Sequence, residues 1–138
     1  MSANPEIVEL VRQWIEKAEH DLKTAQHTLT LGDDCPFDMV CFHAQQCAEK
    51  YLKALLTLHQ IDFARTHDLT ELAAMVPPEI KLTVESATFQ ELNPYAVEAR
   101  YPGLAEMPGR AEAEVAVALA SQVRQRVREQ LPAEALKR

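Results

Sequence analysis

Between Pro5 and Leu31 the apolar residues Ile7, Val11, Trp14, Ala18, Leu22, Ala25 and Leu29 recur at steps of three and four, which predicts one long helix with a single core stripe. Pro5 suits a first helical turn, and Gly32 to Pro36 reads as the turn that ends this helix. From Phe37 to Gln60 there is neither Gly nor Pro, and good helix formers dominate, so a second long helix follows. At about 100° per residue, Phe37, Cys41, Ala44, Ala48, Leu52, Leu55 and His59 share one side, widened by Val40, Tyr51 and Leu58. Phe42 and Leu56 lie off that side among Gln46, Glu49 and Lys53. A helix with apolar residues on two sides belongs at the centre of a bundle, and two long helices joined by a short turn pack antiparallel.

Ile61 to Arg65 is a link, and Asp68 with Glu71 has the spacing of a capping box, so a short helix carrying Leu69, Leu72, Ala73 and Val76 begins there and stops at Pro77-Pro78. The pattern is read as a third long helix over 79–93, with Ile80, Val84 and Ala87 inward and Leu82 and Phe89 on another side. Residues 94–110 hold three prolines and two of the chain's three glycines and are expected to form a surface loop. A last helix then runs from Pro108-Gly109 to about Gln130, with Ala111, Val115, Ala118, Leu119 and Gln122 along one flank. No run is read as a strand and no repeat stands out. The expected fold is all-α, an up-and-down helical bundle of about four long helices plus one short helix, in a single domain over residues 1–138.

Composition adds three constraints. With 138 residues and 47% hydrophobic content, one domain can bury a core without cross-links. The 21 acidic side chains against 14 basic ones give a net charge of -7, which argues against a general nucleic-acid coat and leaves room for a local basic site. Cys35, Cys41 and Cys47 are odd in number and lie in or beside one helix, so they read as reduced thiols in a soluble cytoplasmic protein without a membrane span or export signal.

Candidate chemistry gathers at two places. His43, Gln46, Lys50 and Lys53 lie along one edge of the central helix, where they could bind a phosphate or a partner's carboxylate; the plain alternative is a solvated edge with Glu49 and Lys53 as an i,i+4 pair. Arg65 and His67 in the link, and Arg100 and Tyr101 in the long loop, carry the chemistry of a phosphate contact, or else help cap a helix and pair with carboxylates. His43 and Cys47 are spaced as two metal ligands, but no second pair accompanies them, so no metal or cofactor is expected. His20, His27 and Glu16 read as a solvated face, and Arg124, Arg126, Arg128, Lys137 and Arg138 as a basic tail of the last helix.

The phrase from Phe42 to Ala54, Phe-His-Ala-Gln-Gln-Cys-Ala-Glu-Lys-Tyr-Leu-Lys-Ala, resembles the HEPN domain family. Thr66-His67-Asp68-Leu69 and Ala99-Arg100-Tyr101-Pro102 follow in the family's order, and the likeness spans about residues 10 to 128. The nearer likeness is to small prokaryotic members often encoded beside a minimal nucleotidyltransferase. The resemblance implies a helical bundle, commonly a homodimer, tied to nucleotide or RNA chemistry. The expectation drawn from residues and resemblance together is a binding and interaction module that pairs with a separately encoded nucleotidyltransferase and contacts nucleotide or phosphate through His43, Gln46, Lys50, Arg65, His67, Arg100 and Tyr101, although the resemblance itself names no role for the positions on the central helix. The alternative is a HEPN ribonuclease toxin of a toxin–antitoxin pair. RNA-cleaving members carry an arginine followed four to six residues later by a histidine, and none of the eight arginines here stands so before any of the five histidines. An enzymatic role is therefore disfavoured. Homodimerisation is also expected from Phe42 and Leu56 and from Leu82 and Phe89, two apolar patches beyond what a small monomer exposes.

Overall fold

A computed structural model describes residues 4–63, 65–98, 101–103 and 106–137. Among them the chain is all-helical: α1 (Pro5–Thr28), α2 (Phe37–Leu58), α3 (Leu69–Ala74), α4 (Ser86–Leu92), α5 (Tyr95–Glu98), α6 (Arg110–Arg128) and α7 (Ala133–Leu136). The all-α bundle expected from the sequence is what forms. The Asn4 side chain accepts from the Glu6 N–H, closing the start of α1 in front of Pro5.

The central helix is α2. Of its residues only Met39 is exposed, because α1 and α6 pack along it while α3, α4 and α5 cover the remaining side. Its interior residues Cys41, Ala44, Ala48, Leu52 and Leu55 are fully buried, as their shared side requires. Leu56, on the second side, is fully buried as well. α2 ends in a Schellman motif: Gln60 takes a left-handed φ of 54°, its N–H reaches the Thr57 carbonyl, and the Ile61 N–H reaches the Leu56 carbonyl.

α1 runs antiparallel to both α2 and α6. Its residues near the turn meet the start of α2, where the Cys35 thiol donates to the Thr28 carbonyl. Its middle meets the far half of α2 through Glu19 and Tyr51. At its C-terminal end, Arg110 at the start of α6 donates to the carbonyls of Leu29 and Leu31 at 3.1 and 2.9 Å and lies 4.9 Å from the Phe37 ring centre. One guanidinium thus satisfies helix-end carbonyls and ties three long helices together.

Three expectations change. The helix read over 79–93 forms only over Ser86–Leu92, and the stretch before it is extended. Ile80, Leu82 and Val84 are half-buried while Lys81, Thr83 and Glu85 are exposed, a period of two. The Leu82 and Val84 N–H groups bond two residues back to the Ile80 and Leu82 carbonyls, tight turns that satisfy these two donors within the stretch itself. On α6 the core stripe is Ala113, Ala116, Ala120, Val123 and Val127, a full i, i+3, i+4 series, whereas Ala111, Val115 and Ala118 face solvent. The apolar residues expected at a dimer face are largely inside the monomer: Leu56 and Phe89 are buried, and Leu82 packs against the core. No helix among the described residues is long and apolar enough to cross a membrane.

The α6 register makes a direct prediction. Val123→Asp buries a charge and should abolish cooperative folding, whereas Val115→Asp, on the exposed flank, should change unfolding free energy by about 0.5 kcal/mol or less. Urea unfolding followed by circular dichroism checks both, and equal loss in the two variants would overturn the assignment of the face.

Candidate functional site

Burying α2 on nearly every side also buries polar groups that must find partners within the fold. Gln45, Gln46 and Glu49 of α2 and Asp21 of α1 are all buried. Asp21 sits on the α1 stripe three residues after Ala18 and four before Ala25, so it meets α2 directly. Its two carboxylate oxygens take Nδ1 of His43 at 2.8 Å and Nζ of Lys50 at 2.5 Å. Glu49 does the same one turn round: its oxygens take Nδ1 of His67 at 2.8 Å, the Gln46 amide at 3.2 Å and Nζ of Lys53 at 3.1 Å. The Gln45 amide donates to the His67 carbonyl at 2.8 Å and its oxygen accepts from Gln46. Lys53 is also 5.6 Å from the ring centres of both Trp14 and Phe63, which meet edge to face.

Both histidines give Nδ1 to a carboxylate, which leaves Nε2 of each ring outside that pairing. His67 is half-exposed, and it lines a cavity of about 400 Å3 with Arg65, Thr66, Asp68, Asn93, Ala96 and Val97. The wall is well fixed. Asp68 caps α3 by accepting from the Thr70 and Glu71 N–H groups, and Asn93 at the end of α4 accepts from the Leu69 N–H at 2.7 Å and donates to Asp68 at 2.9 Å. Glu71 does not complete the capping box; it accepts from the Thr66 hydroxyl, and that hydroxyl accepts from the Asp68 N–H instead. Arg65 is exposed and has no hydrogen-bond or ion-pair partner among the described residues.

The sequence-derived candidates therefore separate. His43 and Lys50 share Asp21; Gln46 and His67 share Glu49; Arg65 stands beside His67 at the cavity. Tyr101 is exposed and lines a different cavity of about 200 Å3 with Asp38, Tyr95, Glu98 and Met107. Arg100 lies outside the described residues, as do Ala99 and Arg138; Ala96 and Val97, a few positions before Arg100, do line the Arg65 cavity. Sequence reading missed Asp21, Gln45 and the inward role of Glu49. The signal was present, since Asp21 lies on an apolar stripe, Gln45 falls between Leu52 and Leu56 on the helix circumference and Glu49 falls beside Leu56.

The cysteines are interior groups. Cys47 is fully buried and burial raises its thiol well above the usual range; burial pushes Cys41 up to about 11, against the lowering effect of its hydrogen bond with Tyr95. Among the described residues no three of His, Cys, Asp and Glu gather as metal ligands.

A second polar cluster joins the three long helices. Glu19 of α1 accepts both arms of the Arg124 guanidinium at 2.8 and 2.9 Å and the Tyr51 hydroxyl at 2.6 Å, and Arg128 donates to that hydroxyl at 3.2 Å. Burial alone would raise the Glu19 carboxyl, but the hydrogen bonds from Arg124 and Tyr51 outweigh it and hold the group below its ordinary value of 4.5.

The chain belongs to the HEPN family, whose domain model matches residues 11–130. Among solved structures it is similar to TT1696 from Thermus thermophilus, at 33% identity over 88% of this chain and 98% of that one, with a TM-score of 0.75. It is also similar to ST0689, an archaeal HEPN homologue, at 25% identity over 94% of this chain and 98% of that one, with a TM-score of 0.67. No match is found among curated proteins.

The two carboxylate clusters each make a prediction. Glu49→Ala removes the acceptor that binds the 65–68 segment to α2, so unfolding free energy should fall by about 1–3 kcal/mol and amide exchange at His67 and Leu69 should quicken before that of the α2 core. Unchanged exchange in that segment would contradict the role assigned to Glu49. For Glu19, a folded value below 4.5 means stability present above about pH 4.5 and lost as pH falls through the folded value. Arg124→Gln should thus be less stable than the parent near neutrality, with the gap narrowing below about pH 4 in urea unfolding across a pH series. A gap independent of pH would refute the ionic basis.

Proposed function

We propose that this HEPN domain is a binding module that pairs with a separately encoded minimal nucleotidyltransferase and contacts the phosphate of a nucleotide at the Arg65–His67 cavity. The observation that carries this reading is the Arg65 guanidinium, which pairs with none of the described residues: in a chain of net charge -7 it stands at a cavity also lined by His67, whose ring is braced by Glu49. A braced imidazole and an open guanidinium offer charge-assisted donors to one phosphate, each such bond worth about 1.5–3 kcal/mol before ordering. His43, Gln46 and Lys50 serve mainly to hold α1 and the link against α2, at the margin of this site. Arg100 and Tyr101 remain proposed contacts from the long loop, and the working unit is proposed to be a homodimer. A reducing cytoplasm suits the three free cysteines.

The ribonuclease reading has one observation in its favour, that Arg65 and His67 line one cavity. Against it, they stand two positions apart in sequence, outside the spacing of RNA-cleaving members. The test combines copurification with the product of the neighbouring gene, light scattering, and calorimetric titration of ATP into the complex. Coelution, a dimer mass and an affinity reduced about tenfold in Arg65→Gln support the module. Cleavage of single-stranded RNA by the pure protein, lost in His67→Ala, would replace it with the ribonuclease.

A further inference from the structure

The basic end of α6 and the polar face of α1, far apart in sequence, meet in one cleft. It has a volume of about 320 Å3 and lies among α1, the end of α6 and α7, away from the Arg65 cavity. α7 closes it: Arg12 grips the Glu134 carbonyl with Nε and Nη2 at 2.9 and 2.5 Å, and Ala135 is buried beneath. Ile15, Ala135 and Leu136 make an apolar floor, while His20, Lys23, Arg128 and Lys137 stand at the walls. Two acids, Glu16 and Glu19, also line the cleft.

Charge accounting distinguishes this cleft from an ordinary surface. Both Glu19 oxygens are committed to Arg124 and Tyr51, so that carboxylate is neutralised within the fold. Lys23 and Lys137 have no carboxylate partner among the described residues, and Arg128 feels Glu19 through space without an ion-pair contact, although acids outnumber bases 21 to 14. Arg128 is positioned in advance: Nη1 donates to the Tyr51 hydroxyl, and Nε and Nη2 make no other hydrogen bond among the described residues. The carbonyl end of α6 opposes an anion here, but it is a partial charge facing several full ones.

We propose that this cleft binds a small phosphorylated molecule, with the phosphate on Lys23, Arg128 and Lys137 and a ring-sized apolar body against Ile15 and Leu136. The volume falls at the low end of small-molecule sites, of order 300–1,000 Å3, which admits one ring and one phosphate rather than a polymer. The site is independent of the proposed nucleotidyltransferase pairing and of the Arg65 cavity.

The test uses the full chain, 15N-labelled, with phenyl phosphate as the probe and phenol and inorganic phosphate as comparators. Saturable shifts at His20, Lys23 and Lys137, weaker binding of inorganic phosphate and no binding of phenol are expected. Lys23→Gln and Lys137→Gln, both exposed and safe for folding, should each weaken binding about tenfold, as should Arg128→Gln where it folds. Lys81→Gln, exposed and away from both cavities, should bind as the parent does. No saturation by about 10 mM probe, far weaker than the millimolar affinity worth about 4 kcal/mol, would overturn the proposal. So would shifts centred on Arg65 and His67, an equal loss in Lys81→Gln, or full affinity in Lys23→Gln.

Discussion

Glu49 is a carboxylate held almost entirely out of water, and its position is tolerable only because Gln46, Lys53 and His67 all donate to it. A lone buried charge would be strongly unfavourable, so the acid requires those donors where they are. His67 must therefore stay against α2, which fixes the link after α2; the link fixes Asp68, and Asp68 starts α3. Asn93 then fastens the end of α4 to the same point. A single interior charge on the central helix thus sets the path of the chain from the end of α2 to the end of α4 and the shape of the cavity beside Arg65.

Asp21 repeats the arrangement between α1 and α2, taking His43 and Lys50. Together the two acids absorb the cations of the central helix edge. The row of His43, Gln46, Lys50 and Lys53 has the spacing of an anion site, yet its charges are spent on holding helices together. Among the described residues, Arg65 at one cavity and Lys23, Arg128 and Lys137 at another are cations outside these two clusters.

Elements whose periodicity is set by the core were legible in the sequence. α1, α2, the cap at Asp68 and the start of α6 after Gly109 all follow from apolar steps and punctuating residues. The misread elements share a cause. Ile80, Leu82 and Val84 fit a helix loosely but alternate perfectly with Lys81, Thr83 and Glu85, and the period of two decided the structure. On α6 two stripes compete, because Ala is common on both flanks; Val123 and Val127 settle the choice only once α2 supplies the surface they pack on. The candidate site was half legible. Its cations can be picked out by residue type, whereas the carboxylates that claim them come from another helix or from the helix interior, and only the fold pairs them.

The separation of the open cations bears on what this protein can bind. At physiological salt, charges are screened over about 8 Å, so a ligand carrying a single phosphate group feels chiefly the cations it touches. A long nucleic acid instead extends past either cavity and meets the rest of a surface whose net charge is -7. Extended polyanions gain affinity by neutralising many phosphates at once, along a continuous basic track. Arg65 and the α1–α6 cleft are discrete points whose neighbours include Asp68 in one case and Glu16 in the other. Such points reward a compact anion held by directed hydrogen bonds and give little to a strand that must run between them. The same distribution is the physical ground on which a compact phosphate, and not an RNA strand, is the ligand proposed for each cavity.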